Sequence, residues 1–375
     1  MANEARSVTV RLSMDTAQAI AKSREYGTEV QRAMDKAEKA TGRQTSAMES
    51  LASTAGQIGL AAGAGLLFIS KAAIDWETAW AGVTKTVDGS AAEMAVLEEE
   101  LRGLATTLPA THTEIAAVAE AAGQLGVSRE GITEFTRTMI DLSETTNLTA
   151  EQAATDIAQI SNVMGTTVGD VDNFGSALVA LGNAGASTEA QILAMTQRIA
   201  GAGAQIGLTE ADILAIANAA ASMGIEAEAG GSAISRVFTE LAKATKQGGD
   251  GLEAFADVAG LTSAEFVQAF EDDPARAFAA FTGGLNRINE SGGDVFTTLD
   301  SLGLADVRVS QALLSMAASG DLLTDSLDLG AQAWEGNTAL ALEAAKEAAP
   351  DLSGAWHRAR PPRPHRRPDQ PYPRR

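Results

Sequence analysis

At five expected helix starts between residues 111 and 265 a threonine is followed, three positions on, by an acid or an amide. The strings are THTE (Thr111–Glu114), TAEQ (Thr149–Gln152), TEAQ (Thr188–Gln191), TEAD (Thr209–Asp212) and TSAE (Thr262–Glu265). In such a box the threonine oxygen accepts the backbone N–H three residues ahead, and the acid or amide accepts the threonine's own N–H, so each string marks the first turn of a helix. Leu148, Leu208 and Leu261 stand directly before three of the caps, where an apolar side chain staples the entering chain. Ser90 and Ser128 are expected to start two more helices without the full box. Gly123, Gly165, Gly182, Gly201 and Gly224 are expected to end helices in the left-handed conformation. From Ser90 to Ala349 nothing alternates with the period of a strand. The expectation is an all-α, multi-helix assembly with short Gly-rich connections. The intervals between caps run from 17 to 53 residues, which argues against a solenoid of fixed period.

The stretch GLTEADILAIANAAASMG, residues 207–224, is apolar nearly all round after its first turn. Such a helix has to be covered by the fold's own core, by a partner or by a membrane. Aromatic residues are 4% of the chain and glycines number 36, so the core is expected to rest on small side chains and close backbone approach. Trp76 and Trp80 share a helix face and read as core anchors, because nothing polar in the neighbouring sequence converges on them.

Four segments are expected. In residues 1–53, Val8, Val10 and Leu12 alternate as a short strand, and a long coiled-coil-like helix follows. Its seam is Tyr26, Val30, Ala33, Ala37, Ala40, Gln44, Ala47 and Leu51. Residues 54–74 hold AGQIGLAAGAGLLFIS (55–70), sixteen residues where a bilayer needs about 20. A buried helix is favoured there over membrane contact. Residues 75–349 form the helical core, with hinges expected at 245–251 (TKQGGDG) and 290–294 (ESGGD). Residues 350–375 read as a disordered basic tail, because six prolines and seven arginines after Gly354 suit neither helix nor core. That tail is either a basic partner arm or, the favoured reading, translation in another frame after an interrupted helix. The start, MANEARSVTVRLSMD, has no apolar run, so no secretory leader is expected.

The formal charge of −21 hides a polarity along the chain. Residues 51–353 carry 13 Lys and Arg against 41 Asp and Glu, a net of −28. Phosphate contact needs the opposite sign, so direct nucleic-acid binding by this body is excluded. No cysteine is present, which removes disulfides, thiolate metal sites and cysteine nucleophiles and favours a cytoplasmic origin. Of the three histidines only His112 lies outside the tail, and it reads as a surface residue at a helix start. The glycines around Gly63 and Gly65, and GAGAQIG at Gly201–Gly207, follow no strand and lack the phosphate-binding lysine. In RINESGG (Arg287–Gly293) the Glu-Ser-Gly of lysozyme-like transglycosylases occurs at Glu290, without the glycine-rich segment that would close a sugar cleft. No catalytic, cofactor-binding or metal-binding residues are expected, and no enzyme.

Taken together, DWETAWAGVTKTVDGS, EIAAVAEAAGQLGVSREGITEFTRTMIDLSETTNLTAEQAATDIAQISNVMG and FGSALVALGNAGASTEAQILAMTQRIAGAGAQIGLTEADILAIANAAASMGIEAEAGGSAISRVFTEL resemble the core of tail tape measure proteins of long-tailed phages and prophages. The resemblance runs from about Val8 to about Ala349 and is densest from Asp75 to Leu241. It implies a mostly helical virion protein that occupies the lumen of the growing tail tube and sets tail length, present in the host cytoplasm during assembly. The implied partners are the tail tube protein, tail assembly chaperones, tail-tip proteins and further copies of itself. As one continuous helix the chain would span only about 560 Å, short for that family, so a truncated product is expected. A helical adaptor or secreted effector outside phages, and a tail-associated peptidoglycan hydrolase, are the competing functions.

Overall fold

Helix starts recur at a fixed interval. The computed structural model describes residues 75–348, within a unit that begins at Asp75. The strand and seam helix of 1–53, the apolar segment of 54–74 and the tail at 350–375 lie outside the described residues. The first helix, α1, covers 75–86. There follow α2 (Ala91–Leu104), α3 (His112–Gln124), α4 (Ile132–Thr145), α5 (Ala150–Met164), α6 (Val171–Ala184), α7 (Glu189–Gln205), α8 (Glu210–Ser222), α9 (Ala227–Gln247) and α10 (Gly249–Ala259). The remaining helices are α11 (Ser263–Asp272), α12 (Pro274–Glu290), α13 (Val295–Ser301), α14 (Val307–Ala317), α15 (Leu322–Gly336) and α16 (Ala339–Ala348). Among the described residues there is no strand, so the class is all-α.

The starts of α3, α5, α7 and α9 fall 38, 39 and 38 residues apart, and those of α4, α6, α8 and α10 are each 39 apart. These are four helix pairs, and they stack. The first helices pack in a row, α3 on α5, α5 on α7 and α7 on α9, while α4, α6 and α8 form a second row. Polar bonds repeat with the same period. Asn162 Nδ2 donates to the Leu125 carbonyl (3.0 Å), Gln197 Nε2 to Gln159 Oε1 (3.4 Å) and Ser235 Oγ to the Arg198 carbonyl (3.0 Å), across 37, 38 and 37 residues. The irregular cap spacing read from sequence is therefore corrected. The caps at Thr111, Thr149 and Thr188 open first helices, whereas Thr209 opens a second one, and the fourth pair starts at Glu226 with no side-chain cap bond.

All five threonine boxes form with both hydrogen bonds. Ser90 forms a sixth, with Glu93 Oε2 accepting the Ser90 N–H at 2.8 Å, which corrects the expectation of an incomplete box there. Leu208 and the N4 residue Ile213 both reach the point where a Gly203 side chain would start, so the two staple residues converge on α7. Of the five expected glycine stops, Gly165 and Gly224 are left-handed. Gly123, Gly182 and Gly201 stay inside α3, α6 and α7. Gly123 serves packing instead: a Cβ there would lie 2.6 Å from both Thr86 Oγ1 and Val87 Cγ2, so the missing side chain lets the end of α1 lie on α3.

The apolar segment of residues 207–224 becomes α8, and the fold itself covers it. Ten of its thirteen residues are buried, Ile213, Leu214 and Ile216 completely. Each such side chain stabilises by about 1.5–3 kcal/mol. The cover comes from α6 and α7 on one side and from α14 and α15 on the other. Beyond the fourth pair the stack ends. Helix α12 packs on α10, joined by Phe255 to Phe281 (5.1 Å between ring centroids), and Phe278 meets Phe238 of α9 edge-on at 5.2 Å. The chain then doubles back along the second row, with α14 against α8 and α9, α15 against α8 and α6, and α16 against α6 and α4.

Candidate interaction surfaces

Two polar knots, one buried and one half-buried, fix the returning helices. Asn218 of α8 is 2% exposed; its Oδ1 accepts from Ser187 Oγ at 2.7 Å, and its Nδ2 donates to Ser326 Oγ of α15 at 3.1 Å. The second knot lies at the α15–α16 corner, where Asn337 takes the left-handed conformation (φ 42°). Its Oδ1 accepts from Ser176 Oγ (2.9 Å), its Nδ2 donates to Asp172 Oδ2 (3.0 Å), and Asn173 Nδ2 donates to the Trp334 carbonyl (2.8 Å).

The tryptophans are not free of polar company. Trp76 and Trp80 stack at 6.1 Å, and Trp76, 5% exposed, donates its Nε1–H to Glu98 Oε1 at 2.9 Å. The Arg102 guanidinium lies over the Trp76 ring at 4.9 Å while also paired with Glu98, and His112 meets the ring edge-on at 5.8 Å. Sequence reasoning missed this because Glu98, Arg102 and His112 arrive from α2 and α3. Trp76 is an anchor, as expected, but a polar-bonded one of the kind buried indoles favour.

The described body carries 12 Lys and Arg against 40 Asp and Glu. Its cations are largely committed: Arg129 to Glu93 and Glu130, Arg276 to Asp328 and Asp273, Lys243 to Glu240, and Arg287 to the Val258 and Ala259 carbonyls ending α10. The surface field is therefore one of negative charge. Grooves in that surface differ in their lining. One of about 530 Å³ between the α8–α9 corner and α14 is lined by Met223, Ile225, Ala229 and Leu314, with Glu226 and Arg308 as its ionisable groups. A second of about 440 Å³ holds Glu210, Asp212, Asp272, Asp273 and Glu335. Two of those carboxylates are already used, Asp212 closing the Thr209 box and Asp273 capping α12 through the Arg276 N–H. A third, of about 610 Å³ beside α16, holds Asp141, Glu144 and Glu347 with Leu108 and Pro109.

His112 is an exposed residue of the first turn of α3, and Glu290, at the end of α12, accepts from Asn286 Nδ2 at 3.0 Å. The two are not brought together in any of these grooves. Residues 201–205 of GAGAQIG are helical, and the glycines at 63 and 65 lie outside the described residues. Among the described residues no group of His, Asp and Glu is arranged to hold a metal ion, and no helix is long and apolar enough to cross a membrane.

Carboxylate titration divides into two sets. The backbone N–H of the capping residue, and then its hydroxyl, hold Glu93, Glu114 and Glu265 below the usual carboxylate range. Burial pushes Asp141 and Asp156 up; Arg137 opposes this at Asp141 while Asp172 and Glu144 add to it, and at Asp156 the Gln197 amide opposes it. The lowered group contributes stability that is present above the unfolded pKa, about 4.3 for glutamate, and is lost as pH falls through the folded value. For the raised aspartates the sign reverses, and stability rises as pH falls toward their folded values. The melting temperature is therefore expected to rise as pH falls through the folded values of Asp141 and Asp156 toward their unfolded value of about 3.9, and the capping glutamates oppose that rise once pH drops below about 4.3. Asp141→Asn is expected to raise the pH 7 value and flatten the rise. Circular dichroism melts across that range measure both, and a monotonic fall from pH 7 downward would contradict this assignment.

Successive helix pairs that bury equivalent faces define a repeat-built scaffold. A sequence model of the family of phage-related minor tail proteins matches residues 98–299, more than half of the chain. The chain belongs to that family. Its role is structural, in the phage tail, among other tail components. No curated protein and no solved structure matches the chain.

Proposed function

We propose that this protein is a tape measure of the tail: it lies within the growing tube, sets the length to which tube subunits polymerise, and does so as a non-enzymatic scaffold. The observation that carries this reading is that the family match covers the four helix pairs, the part of the chain built by linear repetition. In such an array each module of 38–39 residues adds a fixed increment, about 8–10 Å, so the number of modules sets a length. The acidic surface supports contact with basic faces of the tube protein, tail-tip proteins or assembly chaperones, and disfavours adhesion to DNA passing the same channel. On this reading the protein is in the host cytoplasm during assembly and in the virion tail afterwards, and it associates with copies of itself.

The test is deletion of the gene from a phage that encodes it, with tubes measured by negative-stain electron microscopy. Loss of one sharp tube length, restored by supplying the protein in trans, is the expected result. An unchanged length distribution would defeat the ruler while leaving the tail protein in place.

A further inference from the structure

We propose that α16 is a detachable strap, a helix that opens as a unit while α15 stays docked, baring a face of α4 and α6 that carries Asp141 and Glu144. The two returning helices are held in different ways. Helix α15 buries Leu323 and Leu327, and its Gly330 lies so close to α8 that a Cβ there would sit 3.1 Å from the Ala211 carbonyl oxygen. In α16, Leu340 is the one fully buried side chain among residues 339–347, and Leu342 is 59% exposed. What lies beneath is, apart from Leu142, small or hydroxylated. Leu340, Thr138 and Leu142 converge on Gly175, with buried Ser176 alongside. Thr138 already satisfies its hydroxyl on the Glu134 carbonyl, so this face tolerates water when uncovered.

Polar bonds hold the strap more than apolar area does. Ser176 Oγ donates to Asn337 and accepts the Leu340 N–H at 3.4 Å, and Asn337 reaches Asp172. Charge works against closure. Asp141 and Glu144 of α4 line the groove together with Glu347 of α16, while Lys346 is paired with Glu343 on its own helix. Among the described residues no ion pair joins α16 to α4 or α6. Few buried apolar side chains and like charges across the contact are the marks of a segment that opens well below the global unfolding free energy.

The chain has no cysteine, so a single introduced thiol reports opening. Thr138→Cys, beneath the strap, is compared with Thr196→Cys, wholly buried in α7. In the full chain the thiol at 138 is expected to label at least about tenfold faster than that at 196. Asn337→Gly, which keeps the left-handed backbone but removes both side-chain bonds, is expected to accelerate labelling at 138 roughly tenfold more and leave 196 unchanged. Leu340→Ala is the second variant and should act in the same direction. Equal labelling at both positions, or acceleration at both alike, would show that α16 opens only with the whole body and would overturn the strap.

Discussion

Gly284→Ala is expected to be the most damaging single methyl group in the body. Helices α10 and α12 cross so closely that a Cβ at position 284 would lie 1.7 Å from the Val258 carbonyl oxygen and 2.6 Å from its carbon. Both are backbone atoms, so no rotamer change relieves the clash, and the helices must separate. The phenylalanine contacts between α12 and both α9 and α10 would loosen with them. Overpacking of this kind costs about 3 kcal/mol or more, which for a body of this size lowers the melting temperature by about 10 °C. The neighbouring Gly283 is the control. A Cβ there meets nothing nearer than Arg287 Nη1 at 3.6 Å, and alanine is the better helix former by up to about 1 kcal/mol. Paired melts of Gly284→Ala and Gly283→Ala should move in opposite directions. Similar melting temperatures for the two would show that the α10–α12 crossing is looser than described.

Asn218→Ala is expected to cost about 2–4 kcal/mol, more than its size suggests. The side chain joins three elements, α8, the α6–α7 turn through Ser187 and the returning α15 through Ser326. Removing it leaves three hydroxyls, those of Ser187, Ser222 and Ser326, without their amide partner, and a gap against Gly185, whose Cβ position lies 2.3 Å from Asn218 Oδ1. Stranding buried polar groups is costlier than losing the bonds themselves. Urea denaturation should show a lowered midpoint with Asn218→Ala, and a smaller shift with Ser326→Ala, which severs one arm. Equal shifts would place the knot's strength in the Ser326 bond alone.

The local half of this fold was open to reading. A threonine box specifies its own helix start with residues three apart, and all five formed. The apolar circumference of α8 required a cover, but the sequence left open whether fold, partner or membrane supplies it, and the answer came partly from the adjacent α6 and α7 and partly from α15, about a hundred residues downstream. The 38–39-residue period was present in the spacing of Thr111, Thr149 and Thr188. It does not stand out because Thr209, a second-helix cap, falls among the first-helix caps, and because the fourth pair begins at Glu226 without a cap bond. Aligning the chain against itself with that offset would have found it. Glycine was the other ambiguity, since the same residue ends α5 at Gly165 and admits a neighbouring helix at Gly123. Local sequence does not separate those uses, which depend on what packs opposite. The polar company of Trp76 and the Asn337 corner are likewise products of contacts 22 to 165 residues apart.

The doubled-back course of the chain places a limit on growth. An array of pairs can in principle lengthen by one module without disturbing its neighbours. Here α14 rests at the far end of the row and α16 at the near end, so the returning run acts as a tie-rod cut for a definite number of modules. One module more would move the anchor points apart by about 8–10 Å, the spacing of packed helices, and the tie-rod would no longer reach both. The tally of modules in this body is thus enforced by a segment that belongs to none of them.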